Sequence, residues 1–225
     1  MSLVSTKLLY IYLEQDVINV KEAHGKSPSP LQRAVSPRLA NFEQALASNE
    51  SVTEWDDADT ALRAALYHLR HLSQTWKSVL SRGVYQMTMG NLVDLILTLF
   101  LDPVLKAKDI TEPAGRFVHS LFLDAARGTA EVFLVGTPGN NDANVDHRAT
   151  NNMEQHFQLA KNYSTMFDKL RAVGQFMCMR LDEVQRGLED GAFRYVTARE
   201  LSHLLISTFE ESVKRNEMLN VLASK

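Results

Sequence analysis

His68 and His71 stand three residues apart on a helical pattern and could share one edge, which is the first half of a metal site. The second half is not found: no His-Glu-x-x-His motif occurs, and Glu154 and His156 are spaced so that their side chains point apart on a helix. The two histidines are therefore read as helix-face residues, and no metal is expected. Cys178 lies between Met177 and Met179 with no predicted helix N-terminus beside it to lower its pKa, so it reads as a structural thiol and not a nucleophile. Asp182 and Glu183 are adjacent and diverge on a helix, which is poor geometry for acid-base work. Thr137-Pro138-Gly139 lacks the lysine and Ser/Thr of a phosphate loop, and no nucleophile elbow, kinase signature or dinucleotide fingerprint appears. No catalytic residue and no cofactor are expected. One carboxylate is conspicuous. Asp94 interrupts the apolar run from Leu92 to Leu101, where a charge is costly unless a partner such as Arg116, a capping role, a neighbouring amide or solvent receives it. It also supports an alternative reading of the chain as a helical enzyme or small-ligand binder with a pocket between helices.

The elements that position these residues are helices. Between Asp57 and Leu105 the pattern predicts two long ones joined at Ser81-Arg82-Gly83. Leu62, Leu66, Leu69, Leu72, Trp76 and Val79 make an apolar stripe on the first, while the second is apolar nearly all round and should lie deep in a bundle. Asp102-Pro103 is expected to kink or end it. Upstream, a helix is expected over about Ser5 to Ala23 and a shorter one from Ser36-Pro37 to about Ser48, separated by the proline-broken stretch 26–30. Carboxylates at Glu50, Glu54, Asp56, Asp57 and Asp59 suit the positive end of the following helix dipole. Downstream, Thr111 is expected to cap a helix with Phe117, Val118, Leu121, Phe122, Ala125 and Val132 on its core face. Residues 136–149 read as an exposed flexible loop. Met166, Leu170, Val173, Met177, Leu181, Val184 and Leu188 follow as one long seam, ended at Glu189-Asp190-Gly191. Thr197 to Glu200 has capping-box spacing and opens a last helix carrying Leu201, Leu204, Leu205, Phe209 and Val213 on one side.

Composition limits the function classes. With 225 residues that are 45% hydrophobic, and a net charge of −3, the chain can fill a substantial helical core, and nothing in it advertises nucleic acid or an anionic membrane surface. A single cysteine forbids an intrachain disulfide and fits a reducing compartment. No run reaches the roughly 18 consecutive apolar residues of a spanning helix, and the N-terminus lacks signal-peptide features, so cytoplasm is the expected location. An apolar helix follows Met1 almost at once, as though the chain begins partway through something larger.

From Asn49 onward the order of packing residues resembles the C-terminal region of the Zeste White ten family. The match rests on Trp55-Asp56-Asp57, then His68-Leu69-Arg70-His71-Leu72 with Trp76-Lys77-Ser78-Val79-Leu80, then Val84-Tyr85, Met89-Gly90-Asn91-Leu92 and Lys108-Asp109-Ile110-Thr111-Glu112. The tail from Thr197 to Ala223, with Ser207-Thr208-Phe209-Glu210, continues it. Between Val135 and Tyr163 the likeness lapses, and the first 48 residues match only loosely. The resemblance implies an all-α fold, an elongated antiparallel helical bundle of the exocyst-like tethering-subunit type, in which residues 1–48 continue a longer rod and 49–225 form the C-terminal domain. It also implies a non-catalytic subunit that tethers Golgi-derived vesicles at the endoplasmic reticulum with SNARE proteins, serves the mitotic checkpoint at kinetochores, and docks on a large helical-solenoid partner. No direct membrane insertion and no nucleic acid are expected. Binding would bury an apolar patch inside a polar rim, and the contact surface is expected on the last two helices, through exposed members Phe193, Tyr195, Leu205 and Phe209, unless all four are core, which the same pattern fits at least as well.

Overall fold

The computed structural model describes residues 38–39, 41–48, 52–134 and 157–223. The expected helix over 5–23, the start of the one opening at Ser36-Pro37, the phosphate-loop candidate Thr137-Pro138-Gly139, the pair Glu154 and His156, and the loop 136–149 lie outside them. Among the described residues the regular elements are helices: α1 (Phe42–Ala45), α2 (Val52–Lys77), α3 (Arg82–Lys106), α4 (Glu112–Leu134), a helical stretch over 157–163, α5 (Met166–Phe176), α6 (Leu181–Glu189), α7 (Ala198–Thr208) and α8 (Val213–Ala223). The fold is all-α.

Pairings between helix ends fix the directions. At one end of the bundle Trp55 of α2 stacks on Phe117 of α4 with ring centroids 5.4 Å apart. At the other, Arg70 meets Glu131 at 2.6 Å, so α2 and α4 run the same way. Tyr85, at the start of α3, hydrogen-bonds Ser73 near the end of α2 at 2.6 Å and donates to the Val132 carbonyl of α4, so α3 runs opposite to both. The start of α5 lies against Asp94 while its end lies against the start of α4, where His119 meets the Gly174 carbonyl at 2.8 Å. The result is an up-down-up-down bundle of α2 to α5 with short connections between its first three members.

Helix α3 is the centre of that bundle. By length and hydropathy it could cross a membrane, yet Met89, Val93, Ile96, Leu97, Phe100 and Val104 are wholly enclosed by neighbouring helices. Pro103 does not end it. The helix runs through to Lys106, although proline offers no N–H to the carbonyl one turn back. Phe42 and Leu46 sit in the same core, and Thr111 N–H donates to the Leu46 carbonyl at 3.0 Å, so the packing unit begins upstream of residue 49.

Three expectations are corrected. Val79 leaves the α2 stripe and is 54% exposed, because the helix ends at Lys77. The seam from Met166 to Leu188 is two helices: Glu183 accepts from the Arg180 backbone N–H at 2.7 Å and starts α6 afresh after a break at 177–180. The last helix is also two. Phe209 takes an extended conformation (φ −117°, ψ 139°), and Ser212 Oγ accepts from the Arg215 N–H to restart the chain, which leaves Val213 78% exposed and off the core face.

Candidate protein-interaction site

While His68, His71 and Cys178 are exposed, other polar residues singled out by sequence hold helices together. Asp94 is the clearest case. Its Oδ1 accepts from Ser164 Oγ at 2.5 Å and from the Met166 N–H at 3.0 Å, and its Oδ2 accepts from the Thr165 hydroxyl and N–H at 2.8 and 3.1 Å. A carboxylate of α3 therefore caps the N-terminus of α5, where unsatisfied N–H groups and the helix dipole both favour an anion. The Ser164 hydroxyl accepts from the Phe167 N–H and completes the cap. Arg116 is not the partner; it pairs with Glu112 at 3.3 Å. One turn before Asp94, Gly90 lets the chain approach, since a Cβ there would stand 2.0 Å from the Tyr163 carbonyl oxygen. Asp94 is thus fully engaged in a cap and lines no described pocket.

His68 and His71 are exposed, and among the described residues no three His, Cys, Asp or Glu side chains gather as metal ligands. One Glu-x-x-His spacing stands in the chain, Glu200 to His203, and its carboxylate is already occupied. Glu200 accepts from Lys169 Nζ at 2.6 Å and from the Thr197 N–H at 3.0 Å, which completes the expected capping box. Burial pushes the Glu200 carboxyl up, but the bonds from Lys169 and Thr197 outweigh it and hold it below the usual carboxylate range. Cys178 is exposed on the linker between α5 and α6, not packed inside, and desolvation raises its pKa despite nearby Arg116, so the thiol stays protonated. The expected Thr111 cap is corrected: its carbonyl accepts only the first helical bond of α4, from the Gly115 N–H, and its buried hydroxyl has no partner among the described residues.

The expected contact residues divide. Phe193 is buried over Gly187, where a Cβ would come within 2.8 Å of the ring, and meets Phe176 edge-on at 5.7 Å. Leu205 is 0% exposed on the inner face of α7, and Phe209 is half-buried, also edge-on to Phe176. The expectation that Phe193 and Leu205 are exposed is corrected: a loop turning back on Phe176 and a helix sealing the bundle end enclose them. Tyr195 alone of the four is open, at 38% exposure.

Tyr195 stands at one end of a groove of about 300 Å³ between α4 and α5. His119, Leu123 and Ala126 form the α4 wall at helical spacing, and Asp168, Arg171 and Gln175 form the facing wall. The groove exists because Ala126, Ala172 and Gly174 are too small to fill the space and no further described helix lies across it. Leu123 projects 40% exposed. Tyr195 is held from two sides: the Arg194 guanidinium lies 4.7 Å from its ring centroid and bonds its hydroxyl at 2.8 Å, and Lys161 Nζ lies 5.6 Å from the centroid. Lys161 also pairs with Asp168 at 3.3 Å; the Tyr195 hydroxyl first and Asp168 second raise its pKa, so it remains an ammonium. A tyrosine ring and an arginine are residue types enriched among those that carry binding energy at protein interfaces, and exposed Leu123 adds apolar surface beside them. The sequence showed Tyr195 but not the groove, whose small residues read equally well as ordinary close helix packing.

The structure is a helical bundle in which Asp94 and Glu200 are consumed in capping and an aromatic and arginine groove stays open. The chain is a member of the family of the ZW10 C-terminal helical domain, whose family model matches residues 60–222. That is a non-catalytic scaffold family of the tethering and kinetochore type, whose members act in protein complexes. No curated protein matches the chain.

Proposed function

We propose that this chain is the docking domain of a vesicle-tethering subunit in Golgi-to-endoplasmic-reticulum transport. It would act from the cytoplasm at the surface of the endoplasmic reticulum, alongside the SNARE proteins there, and would serve the mitotic checkpoint at kinetochores as a second setting. Its partner is a large helical-solenoid subunit. The observation that carries the reading is the open groove of Leu123, Arg171 and Tyr195 on a bundle of this scaffold family. Phe193 and Phe209 take part from beneath, by bracing the loop that presents Tyr195 against Phe176. Docking there would bury Leu123 and the Tyr195 ring and leave the charged groups as a rim. The test is affinity capture from cytosolic extract with the full chain as bait, followed by mass spectrometry. Recovery of a large helical-solenoid tether or kinetochore subunit is expected; a clean negative from a folded bait would overturn the reading.

A further inference from the structure

We infer that the groove between α4 and α5 takes an acidic peptide segment of a partner protein, one with an apolar side chain flanked by carboxylates. This rests on reading the groove as a docking surface and specifies what that surface recognises.

Charge is the ground for it. The chain as a whole carries −3, yet the charged groups around the groove do not balance. Asp168 on the α5 wall is paired with Lys161 from the preceding helical stretch, and Asp124 beside the α4 wall is paired with Arg127 at 3.9 Å. Arg171 and Arg194 are left over. Arg171 stacks its guanidinium 4.8 Å from the Phe157 ring centroid and 5.9 Å from that of Phe167, and Arg194 lies on Tyr195; neither has a carboxylate partner among the described residues. Stacking fixes both planar groups without using their full set of N–H donors, so they are set to receive carboxylates. Arg171 lines the groove itself, while Arg194 reaches its margin through the Tyr195 ring it covers; beside them lie exposed Leu123 and the floor of Ala126, Ala172 and Gly174, which has room for one apolar side chain and no charge of its own. A basic segment would meet two unpaired arginines, and a second copy of this net-negative chain would have to present an acidic face there.

The test is selection from a randomised peptide library displayed on phage, with the full chain as the target. Binding of the enriched peptides is then measured against wild type, Arg171→Gln and Arg194→Gln, each checked for an unchanged melting curve. The expected enrichment is for Asp- and Glu-rich peptides around a leucine or aromatic residue. Each arginine substitution should weaken them by up to about fivefold, the range for exposed ion pairs, with the double variant and rising salt weakening them further. Enrichment of neutral or basic peptides, binding to both variants as tight as to wild type, or no enrichment would overturn the inference. So would self-association in sedimentation that Leu123→Asp abolishes, since the groove would then be a contact between copies. If affinity capture still recovers a solenoid subunit while acidic peptides fail, the docking reading stands and only its acidic specificity falls.

Discussion

Helix α5 has two sides that differ in how they are closed. Toward α3 it is sealed: Gly90 admits the Tyr163 backbone, and Asp94 takes up the hydrogen-bonding groups at its N-terminus. Toward the outer edge of α4 it is open, over small residues that leave a groove with stacked arginines at its margin. The sealed side satisfies every polar group it buries around Asp94, so it has nothing to offer a partner. On the open side, donors and apolar surface are still in water. One helix thus contributes both to stability and to recognition, and the two can be separated by substitution.

The strongest separation is expected at the bundle end. Leu205→Asp places an unpaired charge where the side chain is wholly enclosed, and should cost about 4 kcal/mol or more, enough to unfold the domain in thermal or urea melts. A folded, binding-defective Leu205→Asp would instead return that residue to the contact surface. On the sealed side, Asp94→Ala removes a carboxylate accepting four hydrogen bonds and should cost about 2 kcal/mol in urea denaturation, with α5 fraying first in amide exchange. On the open side the effect should reverse. Leu123→Asp combined with Tyr195→Ala is expected to leave the domain folded, costing only about 1 kcal/mol in urea melts, while abolishing capture of the partner. The smallest effect concerns pH. Glu200 is held below its ordinary pKa, so its stabilising contribution is present above the unfolded-state value and is lost as pH falls through the folded-state value. Acid titration of the wild type should lose this contribution below about pH 4, whereas Glu200→Gln should begin less stable at neutral pH and lose less on acidification.

Much of the bundle was legible because amphipathic period survives in each helix. The α2 stripe through Leu69, the α4 face from Val118 to Val132 and the enclosed stretch of α3 from Leu92 to Leu101 all follow the pattern read from sequence, though Val84 and Met87 at the start of α3 are exposed. The breaks were not legible. Leu170, Val173, Met177 and Val184 keep their phase across 177–180 since both pieces face one core, so periodicity cannot report the interruption; the Arg180 to Glu183 spacing was the available signal. Phe209 conceals the break before α8 in the same way, by remaining against the core while the backbone becomes extended. A capping role for Asp94 was among the sequence alternatives, but its partners lie about 70 residues away, at the edge of the segment where the family likeness lapses. Whether Phe193 and Leu205 lie at a contact surface or in the core was not legible, because an interfacial and a buried apolar side chain have the same sequence signature; both are core.

Amide hydrogen exchange across the chain, with and without the captured solenoid partner, tests the central claim most directly. Docking in the groove predicts slowed exchange over 119–126 and 168–175 and in the loop around Tyr195, with the Asp94 cap unchanged. Protection confined to other helices, with those segments unaltered, would contradict it.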